Sequence, residues 1–290
     1  METASDVSLR INPLVGSGTI AITSVAKRDS KFGVPIASEE AITEAFRRYP
    51  WLTGLHVHVG SQGCGLELLV EAVRLIAGLR DRIHAALTTP QIAHVNIGGG
   101  LPWSYRDEEE PPALEDYVDR LRAVSPALFE DDVTLVTEFG RSVQAGCGWA
   151  ASRVEYVKHD RDEPFALVHL GADFLMRTAY HPNDWPHRFT VLTPDGAIKT
   201  GDERPQTIAG PLCFAGDVIA RSRPLPAIEE GDWVLIHDAG AYTLGMWSRH
   251  CSRGIPPVIG YDGGATRDDV AFRTLRKRET PEDVVAFWSA

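Results

Sequence analysis

Lysine is scarce in this 290-residue chain: Lys27, Lys31, Lys158, Lys199 and Lys277 are all there are, and no long basic stripe runs through it. With a formal net charge of −11, a nucleic-acid backbone or an anionic lipid surface is excluded as partner, and any anion it binds is small and held locally. Cysteine is sparse as well. Cys64, Cys147, Cys213 and Cys251 form no CxxC pair and no paired His/Cys spacing, so neither a zinc motif nor a disulfide framework is expected. That leaves free thiols in a reducing compartment, with a single reactive thiol as the alternative. There is no apolar run of about 18 residues, the length a membrane span needs. The opening "METASDV" has neither the basic start nor the apolar stretch of a signal peptide, which sets the expectation of a cytoplasmic protein. Solenoid repeats and low-complexity tracts are missing too.

What is present is enough apolar sequence, 43% of the residues, to fill the cores of two ordinary domains. In the first half, "VSLRINP", "LTGLHVHVG", "IAHVNIGGG" and "VTLVTEFG" read as buried strands that run out into polar or glycine-rich ends. Between them "SEEAITEAFRRY", "LELLVEAVRLIAGLRDRIHAAL" and "LEDYVDRLRAVSPALF" carry apolar residues at helical spacing. This β/α alternation predicts parallel strands with the chemistry at their C-terminal ends, where His58, Gly98, Gly99, Gly100, Glu138 and Arg141 fall. Beyond about residue 150, "FALVHLGAD", "HRFTVLTP", "QTIAGPLC" and "DWVLIHDAG" are short strands between Pro, Gly and Asp turns. Residues 1–145 are therefore expected to form an α/β domain, and residues 146–290 a mainly β one.

Three glycines after a strand let backbone N–H groups converge on an anion, phosphate above all. Trp103 stands where a dinucleotide fingerprint would need its last glycine. A tight strand-to-helix turn with no ligand is the other reading. In "TEFGRSVQA", a guanidinium at Arg141 suits a phosphate, whereas the carboxylate of Glu138 needs a cation of its own, such as a protonated ring nitrogen. An ordinary Glu138–Arg141 ion pair explains the same two residues. His58, at a strand end, can present a flat ring to a flat cofactor, and Ser61 can donate to its phosphate; His56, one step deeper, reads as structural.

Seven segments, "LRINP", "KFG", "GLHVHVGSQ", "VNIGGGLP", "EFGRSVQA", "GPLCFAGD" and "DAGAYT", stand in the order found in the pyridoxal-phosphate-dependent ornithine/diaminopimelate/arginine decarboxylases, of alanine-racemase-like fold. The sequence resembles that family from about Ser8 to about Trp247, and "GSQ" with "NIGGGL" resembles the diaminopimelate branch. The resemblance implies an amino-acid decarboxylase with pyridoxal 5'-phosphate as cofactor, working as a homodimer. Gly98, Gly99, Gly100, Ser61, Arg141 and Tyr242 would hold the phosphate, His58 would stack on the ring, and Glu138 would pair with its nitrogen. Cys213 would supply the proton that replaces carbon dioxide.

The departures from the family's pattern carry expectations of their own. The family's cofactor lysine belongs to a motif ahead of "LRINP", and none of the five lysines sits in a matching one. The resemblance then implies about the last four strands of an eight-stranded (β/α) barrel followed by a mainly β domain. Such a chain would lack the first barrel half, be inactive alone, and pair with that half, with a homologous chain or with itself. One alternative is a non-catalytic relative that regulates a full-length homologue. Another is a racemase of the same fold, against which Glu138 counts, because the racemases place an arginine there. Phe214 replaces the acidic residue that meets a distal amine, and Arg177 and Tyr180 of "MRTAYHPNDWPHR" are the candidates for the substrate carboxylate. "EPGR" of the family has become "EFGR", with Phe139. No metal is expected.

Overall fold

The computed structural model describes residues 7–160, 162–263 and 269–289. Internal contacts separate two units: residues up to Gly148 together with Asp238–Ala241, and Trp149–His237 together with the chain from Tyr242 onward.

In the first unit β1 (Val7–Asn12), β2 (Val34–Pro35), β3 (Leu52–Val57), β4 (His94–Asn96) and β5 (Thr134–Val136) make a parallel sheet in the order β2-β1-β3-β4-β5. Apart from the two-residue β2, each strand lies beside the next one in the chain. That is the ordering of a barrel wall; a doubly wound sheet reverses its order at a switch point. The helices α1 (Glu39–Arg48), α2 (Leu66–Ala86) and α3 (Leu114–Val124) alternate with the strands, and a single turn, α4 (Arg141–Gln144), follows β5.

The core explains the alternation. Along α2 the residues Leu66, Leu69, Val73, Ile76, Leu79 and Ile83 are buried at steps of three or four, in one cluster with Leu55, Val57 and Val95 of the sheet. Each such side chain contributes about 1.5–3 kcal/mol when fully buried. The helical pattern of residues 114–129 does not hold to its end: α3 stops at Val124, and Pro126–Phe129 forms a 3₁₀ turn. Pro126 bars Ser125 from helical geometry, and Ser125 adopts φ −148°, ψ 60°.

The second unit holds β6 (Ala150–Lys158), β7 (Phe165–Val168), β8 (Phe189–Leu192), β9 (Glu203–Ala209), β10 (Val218–Pro226) and β11 (Trp233–Ile236) in a sheet of order β10-β9-β7-β6-β11-β8. Only the β7–β9 pair is parallel among its described ladders. β12 (Val258–Asp262) and β13 (Ala271–Arg276) form a separate antiparallel pair, and α5 (Met176–Tyr180) and α6 (Pro281–Trp288) complete the unit. Thr280 and Asp283 close a capping box on α6.

Candidate functional site

In the first unit the polar side chains gather where β3, β4 and β5 end. The period-two alternation of β3 puts Leu55 and Val57 in the core, and His56 and His58 on the other face. Glu138 follows β5, and its backbone N–H donates to the carbonyl of Gly98, so the last turn of one strand is stitched to the next. Asn96, at the end of β4, donates its amide to Glu138 Oε1 (2.9 Å) and accepts from the Gly98 N–H (2.8 Å). A single side chain thus fixes both the carboxylate and the glycine turn.

Glu138 lies against two histidines. Oε1 is 3.3 Å from His56 Nε2, and Oε2 is 3.8 Å from His58 Nδ1. Neither is a salt bridge in substance. His58 Nδ1 accepts a hydrogen bond from the Gly99 N–H (3.2 Å), which puts the ring proton on Nε2 of a neutral imidazole. His56 Nε2 is close to the carboxylate, yet it makes no hydrogen bond there. Burial lowers the pKa of both histidines, opposed by the charge of Glu138 and reinforced by Arg10, and the rings are held neutral. His56, read from the sequence as structural, therefore belongs to the same electrostatic group as Glu138.

Arg141 opens α4 and is buried, 3% exposed. Its Nε and Nη2 both lie 3.3 Å from Ser61 Oγ, and Nη1 donates to the hydroxyl of Tyr105. A desolvated guanidinium beside a serine hydroxyl is a donor set for a phosphate. Gln62, next to Ser61, clamps the loop after the glycines: its amide donates to the carbonyl of Trp103 (2.6 Å) and accepts from the Trp103 N–H (3.0 Å). Trp103, in the place of the missing fingerprint glycine, donates its indole N–H to Asp238 and packs its ring over Gly146.

The three glycines are required by the chain itself. A Cβ on Gly98 would run into the carbonyl of Val57, one on Gly99 into the carbonyl of Glu138, and one on Gly100 into the carbonyl of Gly60. Gly98 and Gly100 also have φ of +69° and +115°. Close backbone packing therefore accounts for the glycines before any ligand does, which corrects the expectation that a ligand's approach explains them.

The second unit carries the other candidates. Asp217 is buried and accepts from the N–H groups of Ala172 (2.6 Å) and Leu212 (2.7 Å), anchoring the loop that presents Cys213 and Phe214; burial raises its pKa. Phe214 stacks on Tyr180 (5.5 Å between centroids) and on His250 (6.5 Å). Cys213 is exposed, with its Sγ 3.4 Å from that of Cys251. Arg177 lies over the rings of Tyr242 (4.5 Å) and Trp185 (5.0 Å), which brings two predicted residues, Arg177 and Tyr242, into contact. Arg10, Asn96, Tyr105 and Asp217 were not singled out from the sequence. Asn96, a polar residue in the apolar run before the glycines, was the one with a readable signal.

Residues 1–145 match the family model described as "Pyridoxal-dependent decarboxylase, pyridoxal binding domain". Diaminopimelate decarboxylase of Pseudomonas aeruginosa is 36% identical over 282 residues, 97% of this chain and 63% of the relative. The enzyme of that name from Neisseria meningitidis serogroup B is 33% identical over 97% of this chain and 64% of its own length. The chain thus spans a little under two thirds of these relatives. Among solved structures, diaminopimelate decarboxylase from Helicobacter pylori complexed with L-lysine superposes with a TM-score of 0.81 at 29% identity, covering 98% of this chain and 67% of that one. A missing first barrel half, inactivity of the chain alone and a regulatory role are not borne out by these comparisons.

Proposed function

From the premise that this chain belongs to the pyridoxal-dependent decarboxylases, we propose that it serves pyridoxal-phosphate-dependent decarboxylation of an α-amino acid. The observation that carries the reading is the pairing, at neighbouring strand ends, of a buried guanidinium with a hydroxyl, Arg141 with Ser61, and of a carboxylate between neutral rings, Glu138 with His56 and His58. Those two sets meet two of the cofactor's needs, donors for its phosphate and an acceptor for its ring N–H. When bound, pyridoxal phosphate supplies an electron sink for the bond to the departing carboxylate.

Arg141 and Ser61 would hold the phosphate, with the N–H of Gly100 as a further donor, since the N–H groups of Gly98 and Gly99 are taken by Asn96 and His58. Glu138 keeps a proton on the ring nitrogen. A neutral His58 lies against that ring without opposing its charge, a duty that an imidazolium would perform badly. Cys213 holds the proton for the substrate carbon; its hydrogen bond with Cys251 raises its pKa above the ordinary thiol value, so the proton stays on sulfur. A homodimer is part of this reading, supported by the family and by the exposure of Cys213.

The substrate follows from Phe214. The relatives are named for diaminopimelate, but an aromatic ring stacked between Tyr180 and His250 offers a distal ammonium at most a cation–π contact, about 0.5–2 kcal/mol. We therefore assign an amino acid whose far end is neutral or anionic, with Arg177 and Tyr180 as its carboxylate partners. Carbon dioxide release by the protein with added pyridoxal phosphate, measured across an amino-acid panel, is expected to rank such acids above lysine, ornithine and diaminopimelate. Phe214→Glu should move the preference toward the diamine acids. A diamine acid as best substrate, unimproved by Phe214→Glu, would overturn the assignment.

A further inference from the structure

Cys213 and the adjacent pair His250 and Cys251, at least 37 residues further along the chain, converge on one exposed spot of the second unit. The donor atoms of Cys213, His250 and Cys251 all lie within 4.8 Å of one another. The two sulfurs are 3.4 Å apart; a tetrahedral ion holding two sulfurs at about 2.3 Å sets them about 3.8 Å apart, so they need only a small adjustment. The convergence is built by the backbone. Cys251 and Ser252 adopt φ of +56° and +52°, a left-handed conformation that costs a non-glycine residue about 1–2 kcal/mol each. The flanking chain over-determines it: Arg249 forks onto Glu279 (2.6 and 2.9 Å), and Arg253 donates to the buried Asp173 (2.8 Å) and to the carbonyl of His169 (2.7 Å). On the other side the Asp217 anchor fixes the loop of Cys213, and the stacking of His250 on Phe214 orients the imidazole. Strain held in place by its surroundings marks functional segments.

We propose that Cys213, His250 and Cys251 form a binding site for a soft divalent cation, zinc above all, with the fourth coordination position open to solvent. Two thiolates and an imidazole are a zinc donor set, and an open fourth position suits the exposure of all three residues. On binding, the two thiols release their protons to solvent as two sulfur–metal bonds form; nothing is oxidised. The site rests on geometry alone. It goes beyond the function proposed above and meets it at one point: a cation on Cys213 removes the proton which that reading requires, so the metal acts as an inhibitor.

The test uses the full chain, reduced and metal-free, titrated with cobalt(II) and then displaced with zinc. One equivalent of cobalt is expected, with a thiolate charge-transfer band and the visible absorption of a tetrahedral ion. Cys251→Ser and, separately, His250→Ala should each weaken binding by more than about tenfold, the lower range for losing even an outer partner of a metal site, while Cys147→Ser leaves it unchanged. Because His250 and Cys251 are tested singly, failure of one variant to fold leaves the other decisive. Absence of the band, binding that survives both substitutions, or cysteines found only as a Cys213–Cys251 disulfide that takes up no metal after reduction would each overturn the proposal. All of these readouts are independent of pyridoxal phosphate.

Discussion

His56 and His58 bring the protein's pH response down to single side chains. Burial lowers both pKa values below the ordinary 6.5, so the unfolded chain binds protons more readily than the folded one over the interval just below that value. Stability contributed by the neutral rings is fully present above pH 6.5 and is lost as the pH falls from there through the lowered pKa values. His84 shifts in the same direction, first through burial and then through Arg80, and adds to the slope. Thermal unfolding should show a falling melting temperature between about pH 7 and pH 5, and His56→Gln with His58→Gln should flatten that fall. An undiminished slope in the double variant would assign it to other groups. His58, Ser61, Glu138 and Arg141 are readable as candidates because each follows a recognisable strand. Arg10 and Tyr105 are out of reach of the sequence, since their roles depend on side chains 36 or more residues away that only strand pairing brings near.

A strand end, in this fold, is a place where backbones touch. The run of glycines at residues 98–100 is readable as a turn and as an anion site, but its tightness is set by the carbonyls of Val57, Glu138 and Gly60. No sequence motif reports such neighbours. It follows that Gly98→Ala should destabilise the protein in the absence of any cofactor. The left-handed backbone and the clash with Val57 together amount to about 2–4 kcal/mol. Urea unfolding of cofactor-free protein measures this directly; a variant of unchanged stability that merely bound pyridoxal phosphate less tightly would return the glycines to the ligand. Elements with strong periodicity, such as α2, were legible almost to the residue. The end of the α3 pattern was not, because Pro126 outweighs the apolar spacing that continues to Phe129. Strand β6, with its polar alternation, and β12 and β13, which leave many of their side chains exposed, offered no apolar run to read.

For the molecule as a whole, the parallel sheet with strands in chain order and the β-rich second unit were legible from the alternation of patterns, and the ordered motifs pointed to the family. What was not legible is the cluster of Cys213, His250 and Cys251: local spacing showed no metal motif, because the donors come from loops 37 residues apart in the chain. Among the described residues no helix is long and apolar enough to cross a membrane.

The central claim is that the first unit holds pyridoxal phosphate by its phosphate at Arg141. Titration of the purified chain with pyridoxal phosphate, followed by quenching of tryptophan fluorescence, measures it most directly. The account predicts saturable binding of one equivalent, weakened in Arg141→Ala by about 1.5–3 kcal/mol, tenfold or more, the usual worth of a hydrogen bond to a charged group, with the fold of the variant checked by its circular dichroism. Binding of equal strength in a folded Arg141→Ala variant would contradict it, and would leave Arg141 as a structural partner of Ser61 and Tyr105.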